Sequence, residues 1–253
     1  MSIRSLGNPS VRYNAVMSET GVGAETFNPD APPIDFTIEL FLRKPNTDQG
    51  GLFQISSTVG GLTGSSYQNT IAAAWTGTRW QMYGGGNDTY PGSAGSINTN
   101  TWYHLAYVRY NSTTTLYIDG TSTLTHTDTM NYDYKYLGVG GYYSTSYLHE
   151  GLIYNFRLTK GQALYTGNFT KPSSPLTTTS QGATESNVKL LCCKASPITA
   201  ATVTPGSIIV NGDPDPSTTD PFSGDDYSVD FDGTGDYLSW PSSSDFSFWN
   251  RKD

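Results

Sequence analysis

The 253-residue chain is predicted to fold as an all-β sandwich of two antiparallel sheets. Its composition disfavours helices, because it holds 27 Gly and 14 Pro but few Glu, whereas 18 Tyr and 10 Phe favour strands. Its apolar residues alternate with a period of two between closely spaced turn signals. Both observations are typical of a sandwich built from many short strands.

The strand pattern begins with a segment that alternates strictly. Phe36–Arg43 alternates apolar and polar residues, which predicts a strand with one core-facing side. That side consists of Phe36, Ile38, Leu40 and Leu42. Trp102–Tyr110 is apolar on both faces, which predicts a central strand. Further strands are predicted over Leu52–Thr58, Ile71–Trp75, Trp80–Tyr83, Tyr136–Val139 and Leu152–Thr159.

A hairpin is predicted after the central strand. The chain turns at Asn111-Ser112 and returns through Thr115–Ile118. Asp119-Gly120 then predicts a tight turn into Thr121–Thr125, because these residue types accept the positive φ angles of hairpin turns. Little helix is expected, with one turn near Lys160–Leu164.

Charge divides the chain into regions. Residues 1–212 carry 12 acidic and 12 basic side chains, whereas residues 213–253 carry ten Asp against Arg251 and Lys252, which accounts for the net charge of −8. The Pro- and Asp-rich stretch 211–221 predicts a linker, and Lys171–Pro175 marks an earlier break. We therefore divide the chain into 1–29 (an arm or first strand), 30–175 (the sandwich domain), 176–212 (a closing strand and linker) and 213–253 (an acidic segment with an extra strand pair).

Several functions are disfavoured by charge and hydropathy. An acidic chain without a cluster of Lys and Arg is a poor ligand for nucleic-acid phosphates and for anionic membranes. No stretch approaches the ~18 apolar residues of a membrane span, and Met1–Arg4 does not lead into the apolar core of a secretion signal. We expect a protein that is made in a cytoplasm and binds neither nucleic acid nor membrane.

The two cysteines are adjacent, at Cys192 and Cys193. A disulfide between neighbouring residues is strained, and neighbouring side chains on a strand point to opposite faces. We therefore expect reduced, structural thiols.

Several segments occur in an order typical of one family. They are Phe36–Glu39, Asn100–Arg109, Leu116–Gly120, Leu137–Gly141, and Gly151–Gly161 with Tyr165–Thr170. They resemble the successive strands of laminin-G-like, concanavalin A-like domains over about 30–175. The last two, together with Lys189–Cys193, are similar to copies found in structural proteins of tailed phages, notably those of marine cyanobacteria. The resemblance implies a jelly-roll sandwich in a virus particle, with other virion proteins and further copies of itself as partners.

The acidic segment contains a strand pair without a domain of its own. Tyr227–Trp240 resembles the opening strands of a second copy of the same domain. Left unpaired, it would expose backbone groups and apolar side chains. We predict that it pairs with an edge of the 30–175 sandwich, in the same chain or by strand exchange with a neighbouring subunit. The side chains that would make this contact are Val229, Phe231, Tyr237, Leu238 and Trp240.

Catalysis and metal binding receive little support. His104, His126 and His149 have no Cys or carboxylate at metal-ligand spacing except the neighbouring Glu150, so solvated or packed histidines are expected. Glycosidases use two paired carboxylates, which in this fold commonly alternate along one strand. The sequence contains no Glu-x-Asp or Glu-x-x-x-Glu pattern, so the chain is not expected to be an enzyme.

One acidic stretch resembles a calcium loop. Asp230–Asp236, with the nearby Asp225-Asp226, is rich in carboxylates but lacks the bidentate Glu and the full spacing of such loops. We expect a turn between two strands here and predict no cofactor, with calcium as the alternative.

Aromatic residues supply the candidate binding surface. Tyrosine stacks on sugars and is enriched in wet protein interfaces, although core packing is the commoner explanation for such residues. The candidates for contact with a glycan or a protein partner are Tyr132, Tyr134, Tyr136, Tyr142, Tyr143, Tyr147, Trp75 and Trp80. Two functions remain open. We favour a noncatalytic virion structural protein, as a capsid decoration or a tail appendage, over a tail-fibre adhesin that recognises host-surface polysaccharide.

Overall fold

The computed structural model describes residues 26–27, 32–58, 70–85, 87–91, 95–142, 144–224, 226–249 and 251–252. Its regular structure is almost entirely β, as predicted. The strands are β1 (Thr26–Phe27), β2 (Phe36–Arg43), β3 (Gly50–Ser56), β4 (Ile71–Trp75), β5 (Trp80–Gly84), β6 (Asn87–Pro91), β7 (Trp102–Tyr110), β8 (Thr113–Ile118), β9 (Thr121–Thr127), β10 (Tyr136–Val139), β11 (Gly141–Tyr142), β12 (Ser144–Leu148), β13 (Glu150–Lys160), β14 (Val188–Cys192), β15 (Ala201–Val203), β16 (Ile209–Asn211), β17 (Asp215–Ser217), β18 (Ser228–Asp232), β19 (Tyr237–Ser239) and β20 (Arg251–Lys252).

Helix is confined to short 3₁₀ turns in the described part of the chain. These turns span Ser180–Gly182, Glu185–Asn187 and Ser244–Phe246. None of the helices among the described residues is long and apolar enough to cross a membrane.

Two antiparallel sheets form the sandwich, which confirms the predicted fold class. The first sheet has the order β15-β14-β13-β2-β7-β8-β9, with β18 beside the start of β13 and β17 beside β18. The second sheet has the order β16-β19-β10-β3-β4-β5-β6. Two short ribbons, β1–β20 and β11–β12, are not part of the strand ladder of either sheet. Most of the predicted arm, 1–29, lies outside the described residues.

The main core lies between the sheets. Phe36, Ile38, Leu40 and Leu42 are fully buried in it, which confirms the predicted core face of β2. Strand β7 pairs with β2 on one side and β8 on the other, so it is central, as its sequence predicts. Two smaller apolar clusters lie on the opposite face of the first sheet, under the segment 161–187.

The acidic segment is part of the sandwich. In the same chain, β18 pairs with Glu150–Ile153 of β13, and β19 pairs with β10. Val229, Phe231, Leu238 and Trp240 are buried, and Tyr237 is half-buried. The stretch 211–221, predicted as a linker, instead contains β17. A strand with a proline can form here because β17 lies at the sheet margin, where the missing N–H of Pro216 is tolerated.

Two local predictions are wrong. No helical turn forms at Lys160–Leu164: Thr37 Oγ1 donates to the Gln162 carbonyl and accepts from the Leu164 N–H, so the loop's backbone is bonded to β2 instead. The thiols of Cys192 and Cys193 do not point apart but lie 3.3 Å from each other, because Cys193 has a φ of +63° and leaves the strand. Both are free and buried.

Candidate functional site

Most of the predicted aromatic surface is buried. Trp75, Trp80, Tyr132, Tyr134 and Tyr142 have at most 9% of their surface exposed. Tyr136 and Tyr147 are half-buried, and Tyr143 lies outside the described residues. Burial argues against the five buried residues as candidates for contact with a glycan or a partner, and it agrees with core packing, the commoner explanation for such residues.

The polar ends of Tyr132 and Trp75 are hydrogen-bonded inside the protein. The Tyr132 hydroxyl donates to the Asp128 carboxylate at 3.0 Å, and Trp75 Nε1 donates to the Thr47 carbonyl at 3.0 Å. The segment that carries Tyr132 and Tyr134 connects β9 in the first sheet to β10 in the second, so its rings pack against the core between them.

An open groove lies on the outer face of the first sheet instead. It has a volume of about 330 Å³, and we call it the tyrosine groove. Its lining residues are Val108, Tyr110, Asn111, Thr113, Thr115, Tyr117, Tyr165 and Thr166. Tyr110 is 43% exposed, whereas Tyr117 and Tyr165 are buried against the sheet.

The β7–β8 hairpin forms one side of the groove. Asn111 and Ser112 have φ angles of +47° and +60°, as a two-residue hairpin turn requires. This turn sets the register that pairs Tyr110 with Thr113 and Val108 with Thr115. Because side chains alternate along a strand, Thr113, Thr115 and Tyr117 share the groove face while Leu116 enters the core.

The loop 161–170 forms the opposite side. The Tyr165 ring stacks on Phe169 with the centroids 3.6 Å apart and the planes at 9°. The Phe169 N–H donates to the Gly120 carbonyl at 2.9 Å, and Asn168 Oδ1 accepts from the Ser122 N–H at 2.9 Å. These two bonds fasten the loop to the β8–β9 turn. Gly120 is required there, since a Cβ would overlap the Phe169 carbonyl.

A buried charged network anchors Tyr165 from below. The Tyr165 hydroxyl donates to Glu39 Oε2 at 2.8 Å, and Arg157 Nη2 donates to Glu39 Oε1 at 2.6 Å. His104 Nε2 lies 3.1 Å from Glu39 Oε2. Burial alone would raise the pKa of Glu39, but the hydrogen bond to His104 and the charge of Arg157 outweigh it and lower the pKa. Glu39 is therefore an ionised, fixed acceptor for Tyr165.

The groove presents neutral hydrogen-bonding groups. Burial raises the pKa of Tyr117, so its phenol stays protonated. Burial followed by the charge of Glu39 raises the pKa of Tyr165, but the Tyr165 hydroxyl donates to Glu39 below the groove and not to a ligand in it. The other polar groups of the lining are threonine hydroxyls and the Asn111 amide. Together with the exposed Tyr110 ring, these groups can stack on and hydrogen-bond to a polyhydroxylated ligand.

A second groove, of about 360 Å³, is acidic. Its lining residues are Arg43, Pro45, Glu150, Gly151, Leu152, Ser217, Thr219, Asp230, Phe231 and Asp232. The β13–β18 pairing brings Glu150 opposite Asp232, a proximity that no single strand of the sequence reveals. Asn46 Nδ2 donates to Glu150 Oε2 at 2.6 Å. The pKa of Asp230 is raised, first by burial and then by the neighbouring Asp215 and Asp236.

Three carboxylates meet at the predicted turn. Oxygens of Asp213, Asp232 and Asp236 lie within 4.8 Å of one another and have the chemistry of calcium ligands. Asp236 is buried, however, and its two oxygens accept backbone N–H groups of Asp213 at 2.8 Å and Asp232 at 3.1 Å. These two bonds explain why the Asp236 carboxylate is buried: it holds the backbone of the turn together. We therefore assign no metal here. Asp225 lies outside the described residues, and Asp226 accepts from the Tyr154 hydroxyl at 2.7 Å.

The three histidines are buried in packing positions. His104 belongs to the Glu39 network, and His126 Nδ1 lies 2.9 Å from the Thr127 carbonyl. Burial and then the charge of Lys44 lower the pKa of His149 well below its usual value. This agrees with the expectation of packed histidines.

The chain matches one known family. The model of the Laminin_G_3 family, described as the concanavalin A-like lectin/glucanases superfamily, matches residues 19–164, which is more than half of the chain. No curated protein matches in sequence. Among solved structures, the chain is similar to a Bacteroides ovatus protein described as a "putative carbohydrate binding protein", with 14% identity and a TM-score of 0.44. The match covers 66% of this chain and 47% of the other, so this chain aligns with about half of that protein's length.

Proposed function

Because the chain belongs to the concanavalin A-like lectin/glucanases superfamily, we propose that it is a noncatalytic carbohydrate-binding domain whose glycan site is the tyrosine groove. The observation that carries this proposal is the exposed Tyr110 ring beside a row of threonine hydroxyls. A tyrosine ring offers an apolar face to the C–H face of a sugar, and the hydroxyls exchange hydrogen bonds with its polar edge. The buried Tyr165 fixes the far wall, so part of the site is preformed.

Binding without hydrolysis follows from the groove's side chains. Glycoside hydrolysis requires two carboxyl groups across the scissile bond. Among the described residues that line the tyrosine groove, none carries a carboxyl group. A glycan in this groove would therefore be held and released unchanged.

A glycan array, followed by calorimetry on the bound glycans, tests this function. We expect Tyr110→Ala to weaken glycan binding by about tenfold or more, because it removes the stacking surface. Tyr136→Ala is the matched control: Tyr136 is a half-buried tyrosine of β10 that does not line the groove, and its loss should leave affinity unchanged. An array without a bound glycan, or equal affinities for wild type and Tyr110→Ala, would refute the proposal.

A second candidate role is structural: a virion component, made in a host cytoplasm, that contacts other virion proteins or further copies of itself. One observation favours such contacts. Ile209 and Val210 are 46% and 38% exposed on β16, at the margin of the second sheet. A strand margin with exposed apolar side chains is suited to pairing with another chain. The two roles are compatible in a host-binding appendage.

Incorporation into virus particles tests the structural role. Replacing Ile209 and Val210 together with Ser should abolish co-purification with particles, whereas Tyr110→Ala should leave it intact. If virus particles purified from infected cells do not contain the protein, the structural role is refuted and the proposed glycan-binding function still stands.

A further inference from the structure

We propose that the ligand of the tyrosine groove is an uncharged glycan, and that the groove selects against sulfated and carboxylated sugars. This inference rests on the proposed glycan-binding function and adds the chemical class of the ligand. It follows from the charge of the groove's lining and from the charges next to it.

The described lining residues offer no counter-charge. They comprise one valine, three tyrosines, three threonines and one asparagine, and no Lys or Arg is among them. Moving a sulfate or carboxylate out of water is costly unless a cation or several donors receive it. Neutral hydroxyls need only the exchange of hydrogen bonds that Thr113, Thr115 and Asn111 can provide.

Carboxylates contact both sides of the groove. Asp35 Oδ1 accepts the backbone N–H of Asn111 at 3.0 Å, and Glu39 Oε2 accepts the Tyr165 hydroxyl at 2.8 Å. Arg157 compensates Glu39 within the protein, so the charge of Arg157 is already engaged below the groove. An anionic sugar would therefore find no cation among the described lining residues and a carboxylate, Asp35, beside the hairpin wall.

The size of the groove fits a short glycan segment. Its volume of about 330 Å³ is at the lower end of the ~300–1,000 Å³ typical of small-molecule sites. Since the exposed Tyr110 stands at one end beside the hairpin turn, the ring is placed to stack on one sugar while the threonines of β8 contact its neighbour.

Affinity electrophoresis with matched polysaccharides tests the charge selection. The probes are dextran, mannan and galactomannan as neutral polymers, and dextran sulfate and alginate as anionic ones. We expect the full chain to be retarded by at least one neutral polymer and not by the anionic ones. The neutral interaction should change less than twofold when ionic strength rises from about 0.05 to 0.5 M, because screening acts only on charges.

A charge-gain variant makes the inference testable from the other direction. Thr166→Lys places a cation at the exposed rim of the groove, and we expect dextran sulfate to retard it at least threefold more than wild type. Thr170→Lys is the matched control, because Thr170 is exposed on the same loop but does not line the groove. Equal gains in the two variants would overturn the inference.

The outcomes separate this inference from the proposed function. If an anionic polymer retards the wild type and Tyr110→Ala abolishes that retardation, the groove binds charged glycans; the inference fails and the proposed function stands. If no polymer retards the wild type in a Tyr110-dependent manner, both fail.

Discussion

The Tyr165 hydroxyl donates a 2.8 Å hydrogen bond to Oε2 of Glu39, which is fully buried. Glu39 is in turn held by Arg157 at 2.6 Å and by His104 at 3.1 Å. The wall of the tyrosine groove and the buried ions of the first sheet are therefore one hydrogen-bonded unit. Changes to the buried residues should reach the surface through Tyr165.

Replacing Glu39 with Gln should destabilise the protein and weaken glycan binding. The change leaves the buried Arg157 guanidinium without its counter-charge, a loss of about 3–5 kcal/mol, and it weakens the acceptor that orients Tyr165. Urea denaturation at pH 7 measures the stability, and calorimetry measures the affinity. Glu185→Gln, at an exposed position, should change the free energy of unfolding by less than about 0.5 kcal/mol. Equal stability of Glu39→Gln and wild type would show that the network contributes little.

The Glu39 network should also make stability depend on pH in the acid range. The pKa of Glu39 is lower in the folded protein than its usual value of 4.5. Its stabilising contribution is therefore complete above about pH 4.5 and is lost as pH falls through the lowered folded pKa. The free energy of unfolding, measured between pH 3 and 6, should fall more steeply for wild type than for Glu39→Gln. Parallel curves would contradict this assignment.

Gly120→Ala should detach the loop that carries Tyr165. Gly120 has a φ of +81°, and an added Cβ would overlap the Phe169 carbonyl. Gly161→Ala is a matched control, because its φ is +82° but a Cβ there meets nothing within 4 Å. Both variants should incur the backbone strain of about 1 kcal/mol, and only Gly120→Ala should lose glycan affinity as well. Indistinguishable thermal melts and affinities would show that the loop is not fastened at Gly120.

Phe231→Ala should show that the acidic segment is part of the core. Phe231 is buried and lies against Gly140, and its truncation should lower the free energy of unfolding by about 3–5 kcal/mol. Ile209→Ala, at an exposed apolar position on β16, should cost less than about 0.5 kcal/mol. If residues 213–253 were instead docked loosely, Phe231→Ala would leave the denaturation midpoint where it is in wild type.

Much of the fold was predictable because alternation and turn chemistry are local. The core face of β2, the central position of β7 and the turn at Asp119-Gly120 all follow from residues within one strand or hairpin. For β18, the sequence predicted only that the strand must pair with some edge of the sandwich. That this edge belongs to β13 could not be predicted, because it depends on which strand margin the rest of the chain leaves open.

The binding surface was less predictable because burial is a property of the whole fold. Tyr132 and Tyr134 belong to the tyrosine-rich stretch 132–147 of the sequence, yet their rings pack in the core. Tyr110 and Tyr165 are far apart in sequence and meet only after the loop 161–170 lies along β8. The available signal was the alternation of Thr113, Thr115 and Tyr117 on the face opposite Leu116, which left open whether that face is covered.

A crystal structure of the protein with its tightest-binding neutral oligosaccharide bears most directly on the glycan site. We expect a sugar ring within about 4 Å of the Tyr110 ring, with its hydroxyls hydrogen-bonded to Thr113 or Thr115. A sugar bound in the acidic groove beside Glu150 and Asp230, with the tyrosine groove vacant, would contradict the assignment.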